Sequence, residues 1–254
     1  MSRFLRPLVT AAGILLAWEL LVRAAGLPPF ILPGPGRVLT ALAAQHELIL
    51  RHAAVTLSEI VLGILLGSLF GAASAVLIAA SRHARRWLMP LLVVSQALPV
   101  FALAPLLVLW LGYGMASKVA MAVIIIFFPV TAAFLDGLRR TEPGWIELAR
   151  VMDASAFAIL TRIRIPAALP ALASGLRVAA AVAPIGAVVG EWVGSSAGLG
   201  YLMLHANARM QVDLMFAALL VLAVMALALW LAVDRGARAV VRWQPETLAH
   251  DHQG

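Results

Sequence analysis

The chain has no cysteine among its 254 residues, a single lysine, Lys118, and only 12 acidic residues. Without cysteine there can be no disulfide framework, no Cys-based zinc site and no thiol nucleophile. Charged residues make up 12% of the chain, about half the share in soluble domains, whereas 63% are hydrophobic and the mean hydropathy is +0.98. A water-soluble fold could not bury that much apolar surface, so the composition indicates a membrane protein.

The hydrophobic residues are concentrated in six runs, each long enough to cross the bilayer core as a helix. Strands of a membrane β-barrel would be short and alternating instead. We therefore predict an all-α polytopic membrane protein with about six transmembrane helices, in one transmembrane domain over residues 1–254 with a flexible tail from about 244. The first run shows no small-residue cleavage pattern and is predicted to be a retained span. The runs lie at about 8–25, 55–80, 87–111, 119–135, 169–193 and 214–233.

Positive charges are distributed unequally between the two sides of this predicted topology. Thirteen of the nineteen lysines and arginines fall on the side of the termini, five fall on the other side, and Arg177 lies within a span. Because cytoplasmic loops retain lysine and arginine, both termini are predicted to be cytoplasmic. This topology accounts for the net charge of +7, so we expect no nucleic-acid partner.

A cytoplasmic segment at about 136–168 joins the fourth and fifth runs and combines helical periodicity with clustered charge. Its simplest interpretation is a charged amphipathic helix on the bilayer surface. A specific residue pattern favours a different interpretation. Glu147-Leu148-Ala149 is followed by Asp153 six positions after the glutamate, and by Ile163, Ile165 and Pro166 at sixteen, eighteen and nineteen positions after it.

This pattern resembles the EAA loop of permease subunits of bacterial ABC importers: Glu-Ala-Ala, three residues, Gly, nine residues, Ile, one residue, Leu-Pro. The resemblance implies two short coupling helices that dock into a cleft on a separate ATPase subunit. Asp153 replaces the family glycine at a turn that requires a positive φ, which aspartate adopts less readily than glycine but better than most residues. Pro166 is expected to end the loop before the fifth span. The implied coupling residues are Glu147, Leu148, Ala149, Arg150, Asp153, Ala154, Ser155, Ile163, Ile165 and Pro166.

The resemblance extends over nearly the whole chain, to the nitrate, sulfonate and taurine group of these permeases. It implies a type I ABC importer permease for a small polar solute: a pyrimidine precursor of thiamine (hydroxymethylpyrimidine) by the finest match, or else a sulfonate- or nitrate-like solute. The motifs are Ile31–Pro35, Ser95–Pro99, Ala104-Pro105, Trp110–Gly112 and Gly194–Tyr201, and the thiamine-precursor branch is most similar at Pro184–Gly186, Gly190–Gly194 and His205–Gln211.

The same resemblance implies the partners and the location. They are cytoplasmic ABC ATPase subunits, a periplasmic or lipid-anchored substrate-binding protein, a second copy of this chain in a homodimer, and the lipid of the bacterial inner membrane. ATP-Mg is expected on the ATPase, with no cofactor, metal or catalytic residue in this chain.

Polar groups within spans are costly and usually face a cavity or a partner helix, so they mark a candidate solute pathway. Prolines there free a backbone carbonyl and can bend the helix. The candidates are Ser95, Gln96, Pro99, Pro184 and Glu191. For Gln96 and Glu191, interhelical hydrogen bonding is an equal alternative, and Ser95 more often packs helices.

Three further interpretations remain open from the sequence. Arg177 could simply extend its charge toward the bilayer surface. An ion-coupled secondary transporter could carry protons on Glu19, Glu59 or Glu191. An intramembrane hydrolase could use Ser195 and His205, although no acidic residue is placed to orient the histidine.

Overall fold

The computed structural model describes residues 2–243, except the side chains of residues 2–8, 11, 96 and 97; the predicted flexible tail lies outside this range. The all-α prediction is confirmed, since the described residues form helices and no strand. The helices are α1 (Ser2–Ala24), α2 (Pro35–Ala44), α3 (His46–Ala80), α4 (Arg82–Ala97), α5 (Val100–Leu111), α6 (Met115–Arg139), α7 (Pro143–Val151), α8 (Ala156–Ile159), α9 (Ile165–Gly194), α10 (Leu199–Ala208) and α11 (Val212–Val240), with a π-helical turn at Leu160–Arg164.

Four helices within the described residues are long and apolar enough to cross a membrane: α3, α6, α11 and the run Ala156–Gly194, which joins α8, the π-turn and α9. Helices α4 and α5 make a fifth crossing if they are counted as one bent span. Helix α1 covers the first predicted run. The membrane architecture is therefore confirmed, with four or five candidate crossings among the described residues where about six were predicted. The six predicted runs are helical except at Leu98-Pro99.

The third predicted span is wrong as a continuous helix, because α4 and α5 meet at 106°. The bend lies at Leu98-Pro99, where Leu98 is extended (φ −81°, ψ 125°) and Pro99 is the N-cap of α5. A proline disfavours the helical conformation in the residue before it, so the sequence ends one helix here and begins another. Pro99 thus breaks its span completely, where only a bend was predicted.

Helix α6 is the centre of the bundle, with α3 packed along it in parallel and α9 antiparallel. Gly63 faces Ala122 and Gly71 faces Val130 on the α3 side. On the α9 side the backbones are equally close, since a Cβ on Gly186 would lie 2.8 Å from the Cα of Ala122. The helices therefore approach closely at the α3 glycines, which gives the bundle a tightly packed axis.

Helix α9 runs without a break through Pro184, one of the prolines at which a bend was expected. Pro184 is buried, and its neighbours Ala180, Ala183 and Ala187 have no exposed surface. Small side chains and close neighbouring helices let a membrane helix absorb a proline by local adjustment.

Arg177 of α9 forms an ion pair with Asp234 of α11, with Arg177 Nε 2.7 Å from Asp234 Oδ1. Arg238 binds the other oxygen of this carboxylate at 3.0 Å. The interpretation that Arg177 only extends toward the surface is therefore wrong, because its charge is paired between two membrane helices.

Candidate functional site

Helix α7 carries the first half of the EAA-like pattern and ends in a left-handed turn. It begins at Pro143, and proline is favoured in the first turn of a helix. At its end, Ala154 N–H donates to Ala149 O (2.9 Å) and Asp153 N–H donates to Arg150 O (3.0 Å). Asp153 has φ +57°, so the positive φ predicted at this position is confirmed. These bonds and the left-handed residue make a Schellman C-cap, the arrangement that usually recruits glycine.

The second half of the pattern is continuous with a membrane helix. Ser155 Oγ accepts a hydrogen bond from Ala158 N–H (3.2 Å) and starts α8. The chain then passes through the π-turn, where Ile165 N–H donates to Leu160 O, into α9. Pro166 lies in the first turn of α9 and does not stop the helix, so that prediction is wrong. A proline in a first turn costs little, because its missing N–H has no partner to lose there.

An apolar groove of about 500 Å³ lies between α7 and the start of α9. Predicted coupling residues from both halves of the pattern meet in it: Leu148, Ala149, Ile163 and Pro166. Trp243, which follows α11, lines the same groove and was not predicted as a site residue. The sequence feature that could have indicated this role is a tryptophan next to a predicted flexible tail.

The surface of α7 and the turn after it is apolar and exposed. Val151 is 82% exposed, Phe157 75% and Met152 73%, although none of them lies within a predicted span. Glu147 and Arg150 are also exposed and form no ion pair within the described residues. Arg164 fixes the loop to the bundle by donating from Nε and Nη2 to Leu138 O, at 3.1 and 2.9 Å. The loop is therefore a platform: it is fixed to the helix bundle, and its apolar face is exposed.

A buried polar cluster lies at the opposite end of α9. Glu191, only 1% exposed, accepts hydrogen bonds at Oε2 from Gly200 N–H and from Tyr201 N–H (3.2 Å). These donors belong to the first turn of α10, whose N–H groups have no partner within the helix. The carboxylate therefore caps α10 from α9 across the turn Ser195–Gly198.

Helix α3 completes this cluster. The Thr56 hydroxyl donates to Glu191 Oε1 (2.6 Å) and accepts from Leu199 N–H (2.7 Å). One turn earlier, His52 Nδ1 accepts from Gly198 N–H (3.0 Å). The α9–α10 turn is thus held to α3 entirely by side-chain acceptors for backbone donors.

Two more charged residues are buried beside Glu191. Glu59 is 1% exposed, lies next to Glu191 and leaves Oε2 without a partner within the described residues. Lys118 is 3% exposed, and its ammonium donates to Tyr113 O and to Gly114 O (2.9 Å).

The predicted pathway residues do not come together. Ser95 donates to Leu92 O (2.8 Å) within its own helix, which is a packing role. The Gln96 side chain lies outside the described residues. Pro99 marks the α4–α5 break and Pro184 is buried within α9, whereas Glu191 makes the interhelical bonds described above.

The buried neighbours Glu59 and Glu191 leave the secondary-transporter interpretation open, whereas the intramembrane hydrolase gains nothing from the geometry. Glu19 is paired with Arg23 at 2.6 Å. The Ser195 hydroxyl bonds with the backbone of Ala197, and the His205 ring packs on Tyr201 with ring centroids 4.1 Å apart. Among the described residues no group of histidines and acids could hold a metal ion.

Comparisons with known proteins point to transport. Residues 60–244 match the family described as "Binding-protein-dependent transport system inner membrane component". The chain is 57% identical over 232 residues to a probable ABC transporter permease protein of Haemophilus influenzae, covering 91% of this chain and 95% of that protein.

Two further relatives carry a transported compound in their names. The chain is 34% identical over 241 residues to the formylaminopyrimidine transport permease protein of Halalkalibacterium halodurans, covering 94% of this chain and 96% of that protein. It is 36% identical over 240 residues to the riboflavin transport system permease protein of Chloroflexus aurantiacus, covering 93% and 89%.

The fold matches a chain of the MetNI methionine ABC transporter in an inward-facing conformation. The TM-score is 0.68, the match covers 78% of this chain and 99% of that chain, and the sequence identity is 20%. This likeness concerns the fold, and it agrees with the predicted type I importer architecture.

Proposed function

The chain belongs to the family of inner membrane components of binding-protein-dependent transport systems, and from this membership we propose that the α7 groove receives a cytoplasmic ATPase subunit. Membership itself makes the chain an ABC importer permease for a small solute, as the EAA-like pattern predicted. The docking proposal is carried by the exposed apolar face of α7. An apolar patch of this kind on a fixed platform marks a protein interaction site.

The platform is connected to the rest of the bundle so that it can pass on a movement. Arg164 ties it to the end of α6, and α8 continues into α9. Helix α6 has 25 residues and is about 37 Å long at 1.5 Å per residue. Because α3, α6 and α9 pack with almost no space between their backbones, a rigid-body displacement at α7 would reach the α10 end with little loss.

Docking of an ATPase places the α7 end in the cytoplasm. This orientation agrees with the excess of arginine on the same side and puts both termini in the cytoplasm of a bacterial inner membrane. In the proposed assembly two copies of the chain form the pathway, an ATPase with ATP-Mg binds below each copy, and a substrate-binding protein delivers the solute at the α10 end. The chain itself performs no covalent chemistry.

For the solute we propose a planar nitrogen heterocycle, and specifically a pyrimidine precursor of thiamine. Two relatives that share more than 30% of their residues with this chain are named for a formylaminopyrimidine and for riboflavin, and both compounds contain a pyrimidine-type ring.

The docking proposal is tested by co-purification. The tagged chain is extracted in mild detergent from its host, and the bound ATPase is quantified for wild type, Glu147→Arg and Val151→Glu. We expect both variants to lose most of the ATPase while remaining in the membrane. Glu47→Arg, the same charge change at an exposed position on the α10 side, should retain it. Equal ATPase recovery from Glu147→Arg and Glu47→Arg would overturn the proposal.

A further inference from the structure

We propose that Glu191 and Thr56 form a latch that closes the α10 end of the permease and opens once in each transport cycle. The latch consists of these two side chains, the turn Ser195–Gly198 and the first turn of α10. The inference rests on the proposed transport function, because it assigns the moving part at the end where solute enters.

The latch combines hydrogen bonds with the apolar packing of Leu199. Gly198, Leu199, Gly200 and Tyr201 each direct a backbone N–H to a side chain of α3 or α9. The acceptors are His52, Thr56 and Glu191, and the Thr56 hydroxyl also joins α3 to α9 by donating to Glu191. A single displacement of the turn would break all of these bonds together.

The closed form shields these groups from water. Thr56 and Glu191 are buried, and Leu199 has no exposed surface. Over them lies a row of rings, in which His52 stacks on Tyr201 (centroids 5.8 Å apart) and Tyr201 contacts His205 (4.1 Å). These rings are at least partly exposed, whereas Leu199 beneath packs in an apolar core with Val38 and Ile49, so opening also exposes part of that core.

Two features suit this arrangement to reversible opening. Water can replace the bonds of the latch, because four join a backbone N–H to a polar side chain and the fifth joins the Thr56 hydroxyl to Glu191, so opening exchanges partners and leaves no donor unsatisfied. The turn contains Gly198 at φ +114°, where a residue with a side chain would be strained. By contrast, α6 and α9 contact each other through closely packed glycines and alanines, and water cannot replace these apolar contacts.

The absence of cysteine makes the chain suitable for a single-cysteine accessibility test. Leu199→Cys is placed in the full-length permease, bound to its ATPase in nanodiscs, and treated with a membrane-impermeant maleimide. The labelling rate of the permease is compared without nucleotide and after trapping with ATP-Mg and vanadate. Ser196→Cys, an exposed position in the turn, serves as the accessible control, and Ile60→Cys, buried on α3, serves as the control for unfolding.

We expect Leu199→Cys labelling to be at least tenfold faster in one of the two states, with both controls unchanged. Adding Thr56→Val should raise the slower rate, whereas Thr56→Ser, which keeps the hydroxyl, should not. If Leu199→Cys does not fold, Met203→Cys, also buried on α10, carries the same comparison.

The latch is overturned if the complex hydrolyses ATP while the buried cysteine labels at one rate in both states. That result would leave the transport function intact. Failure of the ATPase to bind at all would instead contradict the proposed docking function, so the two failures are distinguishable.

Discussion

Gly198 lies directly against the carboxylate of Glu191, so closely that a Cβ at position 198 would overlap the Glu191 side chain. We therefore expect Gly198→Ala to displace the carboxylate from the first turn of α10. The backbone strain at φ +114° adds to this effect, so the loss should reach several degrees in Tm. Thermal unfolding in detergent measures it, with Gly36→Ala as the control, because nothing lies within 4 Å of a Cβ there. Equal Tm values for the two variants would contradict this account of the turn.

Asp153 occupies the left-handed position of the α7 cap, so the direction in which its replacement changes the stability of the loop can be predicted. We expect Asp153→Gly to stabilise the loop by up to about 1 kcal/mol, because glycine adopts φ +57° without strain. Asp153→Val should destabilise it by about 1–2 kcal/mol. Limited proteolysis of the loop between α7 and α9 reports this order. Slower cleavage of the valine variant than of the glycine variant would show that the turn does not need a positive φ.

The Arg177–Asp234 pair links two membrane helices, and removing one partner leaves a charge poorly compensated. Arg177→Met alone should lower the Tm of the permease, although Arg238 still holds Asp234. Arg177→Met combined with Asp234→Leu should recover part of that loss, because no buried carboxylate is then left, although Arg238 also loses its partner. A double-mutant cycle of thermal unfolding measures the coupling, and strict additivity would exclude a direct interaction.

The fit of α9 against α6 predicts a contrast between two glycines in helices. Gly186→Ala introduces a Cβ 2.8 Å from the Ala122 backbone, and we expect a loss of about 1–3 kcal/mol. Gly236→Ala in α11 meets nothing within 4 Å and should stabilise by up to about 1 kcal/mol through helix propensity. The two variants should move Tm in opposite directions, and a shared direction would count against the packed axis.

Glu59 and Glu191 are both buried and lie next to each other, where a second charge is costly. Glu59→Gln removes the charge and keeps a polar side chain of the same size, so expression and ATPase activity of the complex should stay within about twofold of wild type. Glu59→Leu removes every polar atom at this position next to Glu191, so its stability should fall by about 1–3 kcal/mol. If the leucine variant is as stable as the glutamine variant, a polar group at position 59 does not support Glu191.

The coupling loop could be predicted because its information is local. The spacing from Glu147 to Pro166 and the left-handed turn at Asp153 both lie within one stretch of sequence. Trp243 could not be assigned to the groove, because its approach depends on the position of α11 in the finished bundle. The same limit applies to Glu191. A carboxyl group within a membrane span is energetically costly, which marked Glu191 as important, but its partners lie 135 residues away at Thr56 and in the following helix.

Prolines were the least predictable feature. The outcomes at Pro99, Pro166 and Pro184 differ. Pro99 separates α4 from α5 at an angle of 106°, Pro166 lies in the first turn of α9, and Pro184 lies within α9 without breaking it. The outcome depends on whether a packed neighbour supports the helix on both sides of the proline. Helix α9 has that support along α6, whereas at the α4–α5 junction the chain turns away from the axis of α4.

The most direct test of the central claim is uptake by reconstituted protein. The permease, its co-purified ATPase and a substrate-binding protein are placed in proteoliposomes, and uptake of radiolabelled hydroxymethylpyrimidine is followed with ATP, with a proton gradient, and with neither. We predict uptake that requires ATP and is abolished by Glu147→Arg but not by Glu47→Arg. Uptake driven by the proton gradient without ATP, and unaffected by Glu147→Arg, would contradict the assignment of this chain as an ATP-driven permease.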